Sequence, residues 1–365
     1  MTLTYYIARR FLAMVGLVFG AFLGILLLIE VIEQLRRHAD QNIGMSDAFY
    51  LAALKVPFNL YQILPLILML AAIALFLGLA RSSELVVVRA AGLSGLRFLL
   101  TPVIATLLLG MLSVAVFNPF VAATSKAYLT ASARMENNAG AILSISAEGL
   151  WMRQGSDSGQ MVIKAARANP DGSELLDVTF QTFSTDGIVL ERIEAKSARL
   201  EPGAWVLQGA KRWPLDGTNP EREALLAPDG FRLTTDLTEE RLREGFGTPS
   251  AIAFWALPGY IESLERAGFS ARRHRVWMQM ELTFPLLLSA MVLIAAGFTM
   301  RHARAGKTGS MVLFALLGGF SIFFIRNFAQ VLGENGQIPI LAAAWTPPVA
   351  ATLLALGLLL HLEDG

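Results

Sequence analysis

Six long apolar stretches constrain the fold of this 365-residue chain more than any other feature. They lie at 11–32, 56–80, 98–120, 277–300, 310–332 and 342–361. Each stretch has the roughly 20 residues that an α-helix needs to cross about 30 Å of hydrocarbon. Only 16% of all residues are charged, whereas soluble domains carry about 25%. The sequence therefore predicts an integral membrane protein with six transmembrane helices.

The residues between the third and fourth apolar stretches have a different character. Charged residues return there, and Gly, Pro, Asp and Asn interrupt short runs of alternating polarity. This pattern predicts strands at 149–153, 160–167, 175–183, 187–200 and 204–213, followed by a helix within 249–268. The predicted fold class is an integral membrane α-helical protein, three helices on either side of an inserted all-β, jelly-roll-like domain. The predicted domains are 1–120 and 276–365 for the helices and 121–275 for the insert and its connector helix.

Basic residues in the short loops predict the orientation, because cytoplasmic loops are enriched in Lys and Arg. A cytoplasmic N-terminus places most of them inside, namely Arg9, Arg10, Arg81, Arg89, Arg97, Arg301, Arg304 and Lys307. Arg272, Arg273 and Arg275 argue the other way, but segments beside a long translocated domain are poor topology signals. We therefore expect both termini in the cytoplasm and the insert in the periplasm of a Gram-negative cell.

The sequence offers no pattern typical of a catalytic centre, a metal site or a cofactor site. The chain has no cysteine, and its four histidines lack metal-ligand spacing. Gly306-Lys307-Thr308 resembles the end of a phosphate-binding loop, but Arg301 stands where the first glycine is required. The net charge of +1 gives no support for nucleic-acid binding. We expect a protein that is not an enzyme and that takes any energy for transport from a separate subunit.

The loop after the second apolar stretch contains the most informative motif. Ser82 or Ser83, followed by Glu84, can open a short helix at about 82–93 that Gly92 closes. From the residues alone, this helix is either an ordinary interfacial helix or the contact with a cytosolic ATPase. The run SSELVVVRAAGLS, residues 82–94, is similar to that of the permeases of the lipopolysaccharide export system. The resemblance implies ATPase-coupling roles for Ser83, Glu84, Arg89 and Gly92.

The resemblance covers essentially the whole chain, since the family also has three spans, a β-rich insert and three spans. Three motifs resemble the G permease, LptG, more than the F permease: EQLRR at 33–37, EGLW at 148–151 and GQIP at 336–339. The family implies an inner-membrane subunit paired with LptF, on a dimer of the cytosolic ATPase LptB. It also implies that lipopolysaccharide is extracted and passed towards the outer membrane through the jelly-roll domains of LptC and LptA.

Two charged residues within or beside the apolar stretches are candidate gate residues. At about 1.5 Å per residue, Glu30 stands roughly 30 Å above Arg10, and Arg326 about 24 Å above Ser310. The first and fifth spans line the lateral gate in the resembled family, so we hypothesise that Glu30 and Arg326 pair across it. Alternatively, each charge reaches the interface independently. The expected acyl-chain cavity is lined by Phe22, Leu26, Phe314, Phe320, Phe323 and Phe324, for which ordinary helix packing or lipid contact is the alternative.

Five arginines near the predicted outer mouth form a candidate phosphate-binding collar. They are Arg36, Arg37, Arg272, Arg273 and Arg275. Guanidinium groups suit the phosphates of a phosphorylated glycolipid, although the headgroups of anionic membrane lipids would fit equally well. Two competing functions remain open: another ABC permease for lipids or lipoproteins, and a membrane sensor or scaffold that makes only protein contacts. Copurification of an ATPase would separate the sensor from the permeases.

Overall fold

A computed structural model of the chain divides into two compact units, which we describe separately. It describes residues 2–39, 44–82, 84, 94–135, 142–146, 149–156, 159–169, 173–184, 188–215, 221–222, 224–235, 237–238, 248–266, 269–300 and 308–363. The helical unit comprises Met1–Tyr128, Ala253–Trp255 and Arg272–Gly365. The β unit comprises Leu129–Ile252 and Ala256–Ala271.

Six helices among the described residues are long and apolar enough to cross a membrane, which confirms the predicted number. Their segments are α1 Thr2–Arg37, α2 Met45–Arg81, α3 Gly95–Leu112, α4 Asn118–Met135, α6 Arg272–Thr299, α7 Thr308–Glu334 and α8 Ile340–Glu363. The third span runs from α3 through a π-helical turn, Ser113–Phe117, into α4. The helices extend beyond the predicted apolar stretches because an α-helix can continue after its side chains become polar.

The core of the helical unit lies around α2 and α6. Met69, Phe76, Leu288 and Met291 are fully buried there in one cluster with residues from the other helices. By contrast, the most apolar window of α1 contains no buried residue, and only 11% of the corresponding window of α7 is buried. α1 and α7 therefore present apolar surface to lipid or to a partner.

The described strands of the β unit form one antiparallel sheet, in which β1 to β6 pair with their chain neighbours, β9 pairs with β6, and β7 pairs with β5 and β8. The strands are β1 Ile142–Ser146, β2 Gly149–Ser156, β3 Gly159–Ala168, β4 Glu174–Phe183, β5 Val189–Glu201, β6 Ala204–Gln208, β7 Lys211–Pro214, β8 Leu225–Leu226 and β9 Phe231–Thr234. The prediction of one strand at 204–213 was wrong. Gly209 has a φ of +60°, which interrupts the strand, so that β6 pairs with one half of β5 and β7 with the other.

One face of this sheet forms the core of the β unit. Phe180 and Trp205 are fully buried and their rings meet edge to face at 6.2 Å. Leu150, Ile163 and Leu207 are buried on neighbouring strands. The described interior of the β unit is therefore filled by side chains of the sheet itself. The predicted all-β insert is confirmed.

The connector after the sheet is helical, as expected for 249–268. Two short 3₁₀ turns, Pro249–Ala251 and Phe254–Ala256, precede α5, Leu257–Arg266. Leu257, Ile261 and Leu264 form the buried stripe of α5, which is the spacing expected of an amphipathic helix.

Candidate functional site

Glu30 is a buried carboxylate that ties α1 to α2. Only 5% of the residue is exposed, and Lys55 on α2 places its Nζ atom 2.8 Å from Glu30 Oε1. The side-chain amides of Gln34 and Asn59 donate further hydrogen bonds to Glu30, of 2.6 and 3.1 Å. Three donors thus surround the carboxylate, as a buried charge requires.

The structure does not bring Glu30 and Arg326 together. Among the ion pairs of the described residues, Glu30 is paired with Lys55, and no pair joins Glu30 to Arg326. The hydrogen bond found for the Arg326 guanidinium goes to Asn327 Oδ1, at 3.4 Å. The hypothesis of a direct Glu30–Arg326 pair is therefore corrected within this chain, because each charge faces other groups. Lys55 lies just before the second apolar stretch, at 56–80, so a search for charges inside the predicted spans does not find it.

A second buried carboxylate, which sequence reasoning missed, lies on α6. Glu281 is 3% exposed and accepts a short hydrogen bond from the hydroxyl of Tyr61 on α2. The side chain of Asn118 is a nearby polar neighbour of Glu281. Asn118 directly follows the π-helical turn, a feature frequent at functional sites, and its Oδ1 accepts a 2.8 Å bond from the Phe254 amide. The available signal was the acidic residue itself, inside a predicted span, where a charge is costly.

Glu281 borders a cavity of about 220 Å³ between α2, α6 and α7. Its walls are formed by Tyr61, Gln62, Trp277, Glu281, Phe284, Phe323, Arg326, Asn327, Gln330 and Val331. The structure therefore places Arg326 and Phe323, two of the predicted gate and cavity residues, at the same cavity as Glu281. Glu281 and Arg326 are nevertheless not in contact as an ion pair among the described residues. The cavity thus presents two opposite charges to one small space.

The other predicted acyl-chain residues fall into two groups. Phe22 and Leu26 are partly buried and pack against a cluster of α2 residues that includes Leu60. In contrast, 55% of Phe314, 45% of Phe320 and 67% of Phe324 are exposed on α7. The α7 residues are therefore available to a lipid chain, whereas Phe22 and Leu26 hold α1 against α2.

Within the predicted collar, Arg272 has a structural contact. Its Nε donates to the Gly333 carbonyl and its Nη2 to the Ile338 carbonyl, each at 2.7 Å. The first bond reaches a backbone acceptor in the last turn of α7, where an α-helix leaves carbonyls without internal partners, and the second reaches the connection between α7 and α8. The neighbouring Arg273 lies 3.8 Å from Glu334.

The remaining collar residues differ in how available they are. Arg36 is largely exposed and pairs with Glu33 one turn earlier, at 2.8 Å. Arg37 donates a long hydrogen bond of 3.4 Å to the Tyr128 hydroxyl, and Arg275 also has an interaction partner. Such surface pairs are weak, so an anionic ligand can compete for Arg36.

Glu84 is the predicted coupling residue whose contacts are visible, since Ser83, Arg89 and Gly92 lie outside the described residues. Glu84 accepts hydrogen bonds from Ser82 Oγ at 2.7 Å, Arg10 Nη1 at 2.8 Å and the Tyr6 hydroxyl at 3.2 Å. The hydrogen bond from the Ser82 hydroxyl is the main cause that lowers the pKa of Glu84. Partial burial opposes this shift, and the hydrogen bond from Arg10 adds to it. The start of the predicted coupling segment is thereby fastened to the first turns of α1.

A family model described as "Lipopolysaccharide export system permease LptF/LptG" matches residues 5–361, and so includes both the helical unit and the β insert. The chain belongs to the LptF/LptG family. LptG of Escherichia coli K12 is 23% identical to it over 334 residues, covering 92% of this chain and 91% of that protein. LptG of Haemophilus influenzae is 22% identical over 378 aligned positions, covering 100% and 99% of the two chains. This LptF/LptG family member is accordingly a multi-pass inner-membrane subunit of a transporter rather than an enzyme.

Proposed function

We propose that this chain is the G-type permease subunit that extracts lipopolysaccharide from the inner membrane and delivers it to a periplasmic β bridge. The observation that carries the proposal is the family match over residues 5–361, which spans the six helices and the sheet together. Transport would be powered by a separate cytosolic ATPase, acting through the segment at about 82–93.

The exposed apolar faces of α1 and α7 support a lateral path for the lipid in this proposal. Lipid tails are as apolar as leucine side chains, so hydrophobicity alone does not select one lipid over another. Selection for lipopolysaccharide would therefore come from its phosphates, contacted by Arg36, Arg37, Arg273 and Arg275. Arg272 is left out of this set because its guanidinium holds the end of α7.

The proposed arrangement in the cell follows the topology argument. Both termini and residues 82–93 face the cytoplasm, where the LptB dimer docks, and LptF is the paired permease in the membrane. The sheet faces the periplasm and passes the cargo to LptC and LptA. Its filled interior would have to open around Phe180 and Trp205 to shield acyl chains.

Site-specific photocrosslinking in the complete transporter tests the proposal. A photoreactive residue replaces Phe320 or Phe324, which are exposed on α7, and a matched control replaces Met291, which is fully buried on α6. We expect a lipopolysaccharide adduct at the two α7 positions that declines when ATP is hydrolysed, and none at Met291. Capture of phospholipid alone, or equal labelling at Met291, would contradict the proposed path.

The ATPase contact and the orientation need a separate measurement. Under mild detergent, the wild-type chain should copurify with an ATPase, and reversing the charge of Glu84 should reduce the recovered ATPase. Cysteines introduced into the sheet, in a chain with no cysteine of its own, should react with a membrane-impermeant reagent from the periplasm. A sheet labelled only from the cytosol would overturn the topology and the transport scheme with it.

A further inference from the structure

The cavity between α2, α6 and α7 separates two opposite charges that a membrane interior would normally force together. Glu281 on α6 and Arg326 on α7 both line it and attract each other through space, yet no direct ion pair joins them among the described residues. A charge in this environment is costly unless it is compensated. The space between the two groups is therefore the place where a compensating ligand would bind.

The two sides of the cavity differ in how well the protein satisfies them. Glu281 accepts from Tyr61 and interacts with Asn118, but a carboxylate has further acceptor positions. Arg326 carries five N–H donors, and the acceptor found for them is the Asn327 amide, at 3.4 Å. Trp277 on the same wall has a buried indole Nε1 without an acceptor among the described residues. Unsatisfied buried donors such as the Trp277 indole are rare, and the partly buried Arg326 guanidinium beside it has further N–H groups to donate, so this side of the cavity favours an acceptor of high charge density.

We propose that this cavity binds a phosphoethanolamine headgroup, with its phosphate at Arg326 and its ammonium group at Glu281. A guanidinium fork matches phosphate geometry, and an ammonium group only donates, as Glu281 requires. An anion alone would be repelled by the Glu281 carboxylate, and a cation alone would be repelled by the Arg326 guanidinium, because both residues line the same cavity. A zwitterion compensates both charges and adds no net charge to the membrane interior.

Such a ligand would act as a bridge between α6 and α7. The face of α7 that carries Phe320 and Phe324 is the one proposed to meet the transported lipid, so a bound headgroup would hold that helix near α6. The headgroup could belong to a membrane phospholipid or to a phosphoethanolamine substituent on the cargo. The binding itself goes beyond the proposed function and is measurable without transport.

The test uses the full-length chain in phosphatidylcholine nanodiscs to which phosphatidylethanolamine or phosphatidylglycerol is added. Native mass spectrometry counts the retained lipids. We expect the chain to retain phosphatidylethanolamine in preference to phosphatidylcholine and phosphatidylglycerol. This preference should fall at least about tenfold in Arg326→Gln and in Glu281→Gln, because each variant loses a charged hydrogen bond to the headgroup. The control Arg9→Gln, which neutralises an exposed arginine at the other end of the helical unit, should keep the preference.

Retention of all three lipids to the same extent would overturn the proposal, as would a preference that survives both variants. If Arg326→Gln does not fold, Arg326→Lys keeps the cation and should retain a reduced preference. A photoreactive residue at Gln330 then separates the sources, with phosphatidylethanolamine in one sample and phosphoethanolamine-modified lipopolysaccharide in another. An adduct with either supports the site and names its source, and the absence of both refutes it. Lipopolysaccharide capture at Phe320 does not depend on this result, so the two proposals can fail separately.

Discussion

Replacing Lys55 by methionine should destabilise the helical unit by leaving the Glu30 carboxylate buried without its cation. Lys55 Nζ lies 2.8 Å from Glu30, whose side chain is 7% exposed. Methionine keeps much of the apolar stem of lysine and removes the charge. The perturbation therefore acts on the electrostatics of the α1–α2 contact rather than on its shape.

The size of the effect follows from what remains around the carboxylate. Removing one partner of a fully buried ion pair costs about 3–5 kcal/mol. Here Gln34 and Asn59 still donate to Glu30, and the Lys55 side chain is 24% exposed, so the loss should approach that of one charged hydrogen bond, about 2–3 kcal/mol. This corresponds to a roughly 30- to 150-fold change in the unfolding equilibrium constant.

A double-mutant cycle measures the coupling directly. Glu30→Gln removes the charge that needs compensation, so Lys55→Met should cost at least about 1 kcal/mol less in that background. Equilibrium unfolding in mixed micelles can be followed by the reactivity of a cysteine at Leu60, which is buried in the α1–α2 cluster of a chain with no other cysteine.

The matched control cycle combines Glu30→Gln with Arg326→Met. Because Glu30 and Arg326 form no ion pair, the two effects should add within about 0.5 kcal/mol. Additive effects for Glu30 and Lys55, together with strong coupling between Glu30 and Arg326, would refute the assignment and restore the direct pair across the gate.

Two further predictions concern helix packing and the inner-face network. A Cβ atom added at Gly110 would lie 2.6 Å from the Pro285 Cα, a backbone atom that cannot rotate away. Gly110→Ala should therefore lower the free energy of unfolding by about 1–3 kcal/mol in the same assay. The control Gly24→Ala, where a Cβ atom would meet nothing within 4 Å, should not lower it. Because hydrogen bonding lowers the pKa of Glu84 below its ordinary 4.5, its attachment to Arg10 should persist above that pH and weaken as the pH falls through the lowered value. The distribution of spin-label distances between the start of α1 and the end of α2 should broaden in acid in the wild-type chain. In Glu84→Gln it should be broad at every pH. Equal distributions in Glu84→Gln and wild type would contradict this prediction.

The parts of the fold that depend on local chemistry could be predicted from the sequence. Pro202-Gly203, a dipeptide typical of turns, joins β5 to β6, and Gly203 has a φ of +80°, in the left-handed region that glycine favours. The spans were identified because their apolar length has few alternatives. The break at Gly209 was missed, because the same alternating pattern continues on both sides of it and only the pairing of β5 with two partners reveals the interruption.

The partners of the charged residues could not be predicted in the same way. Counting residues along a helix gives a height in the membrane, which suggested Glu30 and Arg326 as a pair, but it does not give the direction in which a side chain points. The hydrogen bond between Tyr61 and Glu281 joins residues 220 positions apart. No local pattern contains that information, and tertiary packing alone determines it.

The position of these contacts on α2 explains how one helix can hold two neighbours. Lys55 and Asn59 are four residues apart, on one face of α2, and both contact Glu30 of α1. Tyr61 follows Asn59 by two positions, or about 200° around the helix, and contacts Glu281 of α6 on the other side. α1 is also fastened at its opposite end by the Glu84 network. Of the two most exposed spans, α1 is therefore held by ionic contacts near both ends, whereas the ion pair of α7 among the described residues lies at its C-terminal end, between Glu334 and Arg273. The ionic contacts at both ends therefore predict that α1 and α2 move as one body.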